Sequence, residues 1–363
     1  MTEKKKNIIF LIISGILLFL SAILLFLALY ITGFAQWYST NVYPIWVASV
    51  GRFFGIFPFS VAEILLYLLV LAFIVRFAYT IYRLIRKEGR LKTILSYLIR
   101  LFLVCSILIF LFVVNCGINY HRLSFAKTAN LEVRESSVEE LELLVLWLID
   151  EVNGRANQVE RNADGVMVLT TDLSQAAVEA MHTLAHVYPV LGGYYPRPKE
   201  VLTPILSMQQ VSGIFSPFTI EANFNGAMPG FNIPFTATHE LAHVRGFMSE
   251  DEANFIAFLA CIHSGYVEFE YSGYVLAWIY ANNALARVDR ESAAAMRARL
   301  AEEVQVDLSA NRVFWARFDG PVAEMQREVN DRYLRANRQE FGIQSYGMMV
   351  DLLLAYVREG HFD

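Results

Sequence analysis

His239-Glu240-Leu241-Ala242-His243 is the stretch on which the fold of this chain turns. Upstream, Asn232 is placed to cap a helix that carries Pro234 in its first turn, and downstream Gly246 offers a left-handed stop. The five residues are therefore predicted to lie on one helix. Residues four apart on a helix share a face, with Cβ atoms about 6 Å apart, so two imidazoles at this spacing can reach one ion through bonds of about 2 Å. Glu240 is rotated by about 100° from His239, beside such an ion rather than on it. A carboxylate there suits a general base acting on water.

A catalytic zinc site takes three protein ligands and keeps its fourth position open. Just beyond Gly246, Ser249-Glu250-Asp251-Glu252-Ala253-Asn254 reads as the capped start of a second helix. Ser249 and Glu252 have capping-box spacing, and carboxylates in a first turn favour the helix dipole. Glu250 falls outside the capping pair and is the expected third ligand, with Glu252 as the alternative. Asn254, four residues after Glu250 on the same face, is expected to hydrogen-bond a histidine ligand from behind. His263, Tyr271 and Tyr274 follow closely and are candidate oxyanion donors, core packing being the simpler role for each.

Further upstream, the stretch 214–225 is rich in β-branched and aromatic residues, and its Pro217 predicts an edge strand. Phe218 and Asn223 on it are candidate contacts for an extended substrate. His182 and His186 repeat the i,i+4 spacing but lack both an intervening Glu and an acidic third ligand, so they are read as ordinary histidines. His121 and His361 are read in the same way.

The 363 residues are 56% hydrophobic, and the apolar ones are concentrated at the N-terminal end. Crossing about 30 Å of hydrocarbon as a helix takes roughly 20 apolar residues. Three segments qualify, at about 8–31, 61–82 and 94–118. A membrane domain over 1–118 and a globular domain over 119–363 follow. Lys4, Lys5 and Lys6 precede the first span, while Arg83, Arg86, Lys87, Arg90 and Lys92 fill the loop between the second and third. The loop between the first two spans holds only Arg52. This asymmetry places the N-terminus in the cytoplasm and the C-terminal domain outside it. Arg76 and Arg100 lie near the cytoplasmic ends of their spans, where their side chains can reach the headgroups.

The net charge of −5 comes without a basic stripe interleaved with aromatics, which excludes nucleic acid as a partner. Three cysteines, two of them in an apolar run, build neither a disulfide framework nor a Cys-rich zinc site. The C-terminal domain reads as largely helical. Helices are predicted at about 137–153, 173–188, 275–288, 291–308, 321–337 and 346–357, with a short β-like segment at 166–170. The fold class expected is thus mainly α: three N-terminal transmembrane helices followed by an α+β domain with a small edge-stranded sheet.

His239-Glu240-x-x-His243 followed by Glu250-x-x-Ala253-Asn254 resembles the gluzincin pattern, in which a HExxH helix precedes a Glu-x-x-Ala-Asp helix. Asn254 stands where that pattern has Asp, and the gap between the two helices is shorter than in most gluzincins. Gly246, three residues after His243, resembles the metzincin turn, but Ser249 occupies the position of that pattern's third ligand. The whole chain is similar to domain-of-unknown-function family thirty-eight-ten, bacterial three-span membrane proteins. The similarity is carried by Ser216-Pro217-Phe218-Thr219, by Pro234-Phe235 through Phe247 and by Glu250-Asp251-Glu252-Ala253-Asn254-Phe255. These resemblances imply a zincin-like outer domain with one Zn2+. The function expected is a membrane-anchored metallopeptidase cutting peptides or proteins of the cell envelope, with the lipid bilayer as its other partner. The alternative is a non-catalytic, zinc-stabilised domain that senses or binds an envelope ligand.

Overall fold

The computed structural model describes residues 2–86, 89–337, 339 and 348–360. Lys87, His361 and the predicted start of the last helix at Tyr346 lie outside them. Three helices long and apolar enough to cross a membrane come first: α1 (Glu3–Tyr30), α2 (Val61–Ile85) and α3 (Arg90–Phe112). Thr2 and Ser60 cap the first two through their hydroxyls. Helices α1 and α3 run side by side in the same direction. The Ser96 hydroxyl is 3.0 Å from Glu3 at one end, and Leu25 lies against Gly117 at the other. Arg100 pairs with Glu3 at 4.0 Å, which puts this arginine at the charged end of the bundle.

Helix α3 does not stop where the apolar run ends. It continues through wider turns at Val113–Gly117 and a tighter one at Ile118–His121, all but the last two residues of which are buried. The connection between α1 and α2 is helical too, from 34 to 55, alternating α and wider turns. Besides Tyr38, its buried residues, Ala35, Ser39, Tyr43, Val47 and Gly51, recur every four, between the 3.6 of an α-helix and the wider π spacing. Tyr43 and Val47 join the core of the C-terminal domain. The packing therefore crosses the boundary drawn at residue 118: the loop between the first two spans is part of the globular core.

That core is built around five further helices. They are α4 (Val138–Ala156), α5 (Leu173–Val187), α6 (Asn232–Val244), α7 (Glu250–Ile262) and α8 (Val267–Val288). Ser137 caps α4 in a full capping box with Glu140. Helix α6 is buried along its whole length, enclosed by α5, α7, α8 and a small sheet. Helices α9 (Arg290–Arg297), α10 (Glu302–Ala316), α11 (Pro321–Ala336) and α12 (Met349–Arg358) complete the chain. The single helix expected over 291–308 is two, because Asn153 of α4 grips the break: its amide donates to the Arg299 carbonyl and its oxygen accepts from the Ala301 N–H.

Two strand expectations are corrected. The segment 166–170 forms only an isolated bridge between Arg161 and Met167. Two of its backbone N–H groups go to buried carboxylates, Met167 to Asp307 and Thr170 to Glu268, while the Val168 N–H returns to the Glu160 carbonyl. The stretch 214–225 is not one edge strand but a hairpin, with Pro217 in the turn. Strands β1 (Lys199–Glu200), β2 (Gly213–Ser216) and β3 (Glu221–Phe224) order as β1-β3-β2, with β1 parallel and β2 antiparallel to β3. The edge strand at the site is thus β2. Glu221 ties this sheet to the membrane helices. Its fully buried carboxylate accepts from the N–H groups of Val61 and Ala62 at 3.1 and 2.7 Å, at the positive end of α2, and pairs with buried Lys199.

Candidate metal centre

Helix α6 starts on Phe231, and Asn232 does not cap it; its amide donates to the Pro229 carbonyl and to Asn311. The Phe235 N–H is taken instead by the Ser272 hydroxyl. At the other end Gly246 adopts φ +87°, a left-handed stop that only glycine takes without strain, and the Phe247 N–H returns to the Ala242 carbonyl. This turn aims α7 back across α6. Arg122 holds it from outside, donating to the Arg245 carbonyl while its guanidinium lies 3.8 Å over the Phe247 ring.

The reversal brings Glu250 onto the two histidines. Glu250 Oε2 is 3.2 Å from His239 Nε2 and 3.7 Å from His243 Nε2, and one ligand atom from each residue lies within 4.8 Å of the others. All three residues are buried. Tetrahedral zinc with bonds of about 2.1 Å separates its ligand atoms by about 3.4 Å, so the donor set fits that ion. The Phe247 carbonyl sits 2.8 Å from His243 Nδ1, which puts the proton on that nitrogen and leaves Nε2 free to ligate. Burial opposes ionisation of Glu250, but the His243 and His239 imidazoles outweigh it and hold its carboxyl well below the usual range. Conversely, burial disfavours the charged form of His243, and the Glu250 carboxylate overcomes this to raise it to about 9.

Glu252, the alternative ligand, points away. Its carboxylate accepts from the Phe125 N–H, and the predicted capping box with Ser249 is absent, since Ser249 makes no side-chain cap bond. Asn254 shares a hydrogen bond with the Tyr280 phenol, while His239 Nδ1 is buried with no partner among the described residues.

Glu240 lies beside the triad. Burial raises its carboxyl to about 7 against the pull of the two imidazoles, and the Phe215 N–H of β2 donates to it. The strand runs so close that a Cβ on Gly213 would fall 2.5 Å from Glu240 Oε1 and 2.6 Å from Thr236 Cγ2, which is why glycine stands there. The Asn225 N–H bonds the Ser212 carbonyl, so antiparallel alternation turns the N–H and C=O of Gly213 and Phe215 away from β3. They face the site.

The centre opens into a cavity of about 650 Å³. None of the three predicted oxyanion donors lines it. His263 meets the Tyr356 hydroxyl, Tyr271 donates to Asp307, and Tyr274 packs under Arg155 and against Trp147. Phe218 is exposed on the hairpin turn, and Asn223 is buried in β3 with its amide on the Ile214 and Glu221 carbonyls, so neither lines the cavity. The phenols that do are Tyr280, Tyr120 and Tyr333, the last two joined by a hydroxyl contact of 3.0 Å. Tyr280 was within reach of helical counting: nine residues after Tyr271 is two and a half turns, which puts it on the opposite face of α8. Tyr120 and Tyr333 come from distant segments and leave no signal in the pattern. His182 and His186 are exposed on α5, His182 edge-on to Tyr195 at 5.5 Å.

No curated protein and no solved structure matches the chain. A family model described as "protein of unknown function (DUF3810)" matches residues 38–354, from the helical connection after α1 to the middle of α12, and so takes in α2, α3, the hairpin and all the residues of the centre. The chain belongs to the DUF3810 family.

Proposed function

We propose that the chain is a membrane-anchored zinc peptidase of zincin type, its C-terminal domain lying outside the cytoplasm. The observation that carries this reading is the convergence of His239, His243 and Glu250 at zinc-ligand spacing, with Glu240 beside them under an edge strand. His239 and His243 Nε2 and a Glu250 oxygen hold the ion. When bound, zinc supplies Lewis acidity, acidifying water and polarising a carbonyl. Glu240 takes the proton from the attacking water and returns it to the leaving amine. The Tyr280 phenol, oriented by Asn254, donates to the oxygen that gains charge. The substrate lies extended along β2, in the cavity bounded by Phe215 and Trp315.

Glu240 separates this reading from a non-catalytic zinc domain, which needs the ligands but no base. In the detergent-purified protein, Glu240→Gln is expected to keep one zinc per chain and to lose cleavage of a peptide library by at least about 100-fold. Zinc in both forms with cleavage by neither would favour the binding domain. Orientation is read separately: Leu123→Cys, exposed just past α3, should react with a membrane-impermeant maleimide in intact cells. Protection until lysis would reverse the topology.

A further inference from the structure

We infer that this site works at the membrane surface, on polypeptides cut within a few residues of their own membrane anchor; the substrate class rests on the peptidase reading above. The first ground is where the cavity lies. Its wall includes Cys116 and Tyr120, which belong to the outward continuation of α3 itself. Leu25 of α1 packs on Gly117. Counting from Ile8, the first apolar residue past the charged end, about 30 Å of hydrocarbon takes about 20 helical residues and ends near Leu27. Cys116 is thus level with the hydrocarbon boundary, and the floor of the cavity sits at headgroup depth.

The second ground is the helical connection 34–55. Opposite its buried every-fourth-residue set, two positions out of phase, stand Trp37, Asn41, Ile45, Ser49 and Phe53, all exposed, the three large apolar ones by 54, 65 and 58%. Arg52 is the only formal charge on it, and its guanidinium lies over the Tyr194 ring. A helix that packs one side under a folded domain and turns outward a side of large apolar residues and small uncharged polar ones, between two membrane spans, seats that domain in the interface. The domain therefore rests on the bilayer and does not stand off on a stalk.

The third ground is the direction of β2. At one end Gly213 touches Glu240; at the other, the Pro217 carbonyl accepts a 2.8 Å hydrogen bond from Asn115 of the α3 continuation. Four extended residues cover about 13 Å. A chain paired along this edge passes from the membrane level at Asn115 to the base at Glu240 in about four residues. A polypeptide emerging from the bilayer, whether from a helix or from acyl chains, thus presents its third to sixth residue outside the anchor to the site.

Two measurements on the full-length, zinc-loaded protein in phosphatidylethanolamine–phosphatidylglycerol vesicles test this. A nitroxide on Ile214→Cys, in a Cys105→Ser background, reports depth from its relative accessibility to oxygen and to a water-soluble nickel complex. A label within about 15 Å of the phosphates supports the inference, and one farther out overturns it, without reference to catalysis. The second measurement compares a peptide library anchored through two palmitoyl chains at either end with the same library free in solution. Cuts clustered three to six residues from the anchor, at rates at least about 10-fold above the free library, are expected. Cuts scattered without regard to the anchor, or equal rates for both libraries, overturn the substrate class while leaving the peptidase reading intact. If neither library is cut, the peptidase reading falls and the substrate class with it, while the depth measurement still decides where the site lies.

Discussion

The chain carries two histidine pairs at the same i,i+4 spacing, and they differ in everything except that spacing. His239 and His243 are buried on a helix packed between α5, α7, α8 and the sheet, with a carboxylate aimed between them. His182 and His186 face outward from α5, and the contact made by His182 is an edge-on one with Tyr195. Spacing brings two imidazoles to one face of a helix; it does not bring the third donor. In this chain that donor comes from a tight reversal at Gly246, and only one of the two pairs has such a turn after it.

The contrast is sharpest for metal binding. His243→Ala and Glu250→Gln should each weaken zinc affinity by more than the roughly 10–100-fold typical of losing an outer partner, read by competition with a chelating dye. His186→Ala should leave zinc stoichiometry unchanged; if it removes the ion, the two pairs are not distinguished by burial as argued. A smaller effect is expected beside the centre than in it. Gly213→Ala forces Glu240 or Thr236 to move, so cleavage should fall by about 10-fold or more with zinc retained, since a misplacement of 1 Å can cost about 100-fold. Unchanged turnover would show that β2 does not hold the base. Glu252→Gln should alter neither metal content nor cleavage appreciably. Its cost, measured by thermal melting, falls on stability and is small, about 1 kcal/mol, because the glutamine amide oxygen can still accept from the Phe125 N–H and burial already raises the Glu252 carboxyl to about 8.

What was legible in the sequence followed from local periodicity. The three spans, the capping box at Ser137, the helix bearing both histidines and its stop at Gly246 each depend on residues within a few positions of one another. Where a local pattern has two uses, a distant contact decides between them. Ser249 and Glu252 have the spacing of a capping box, yet Glu252 is drawn to the Phe125 backbone more than a hundred residues away. Pro217 signals that a central strand is interrupted; it could not say whether the chain continues as an edge or turns back, and here it turns back. Tyr271 and Tyr274 follow the second helix closely in sequence, but on α8 they face the core, and Tyr280 faces the cavity.

By itself, the sequence determined that three helices are long and apolar enough to cross a membrane, that two imidazoles and a carboxylate share one helix, and that an acidic helix start follows a glycine turn. These are matters of 3.6-residue periodicity and of backbone conformations that glycine adopts without strain. Tertiary structure alone decided that Glu250 and not Glu252 meets the histidines, that β2 is the strand at the base, and that Tyr120 and Tyr333 close the cavity. It also decided that the connection between the first two spans belongs to the globular core. Each of these depends on which distant surfaces become buried together, a choice made by packing and by the need to satisfy buried polar groups, which no short window of sequence contains.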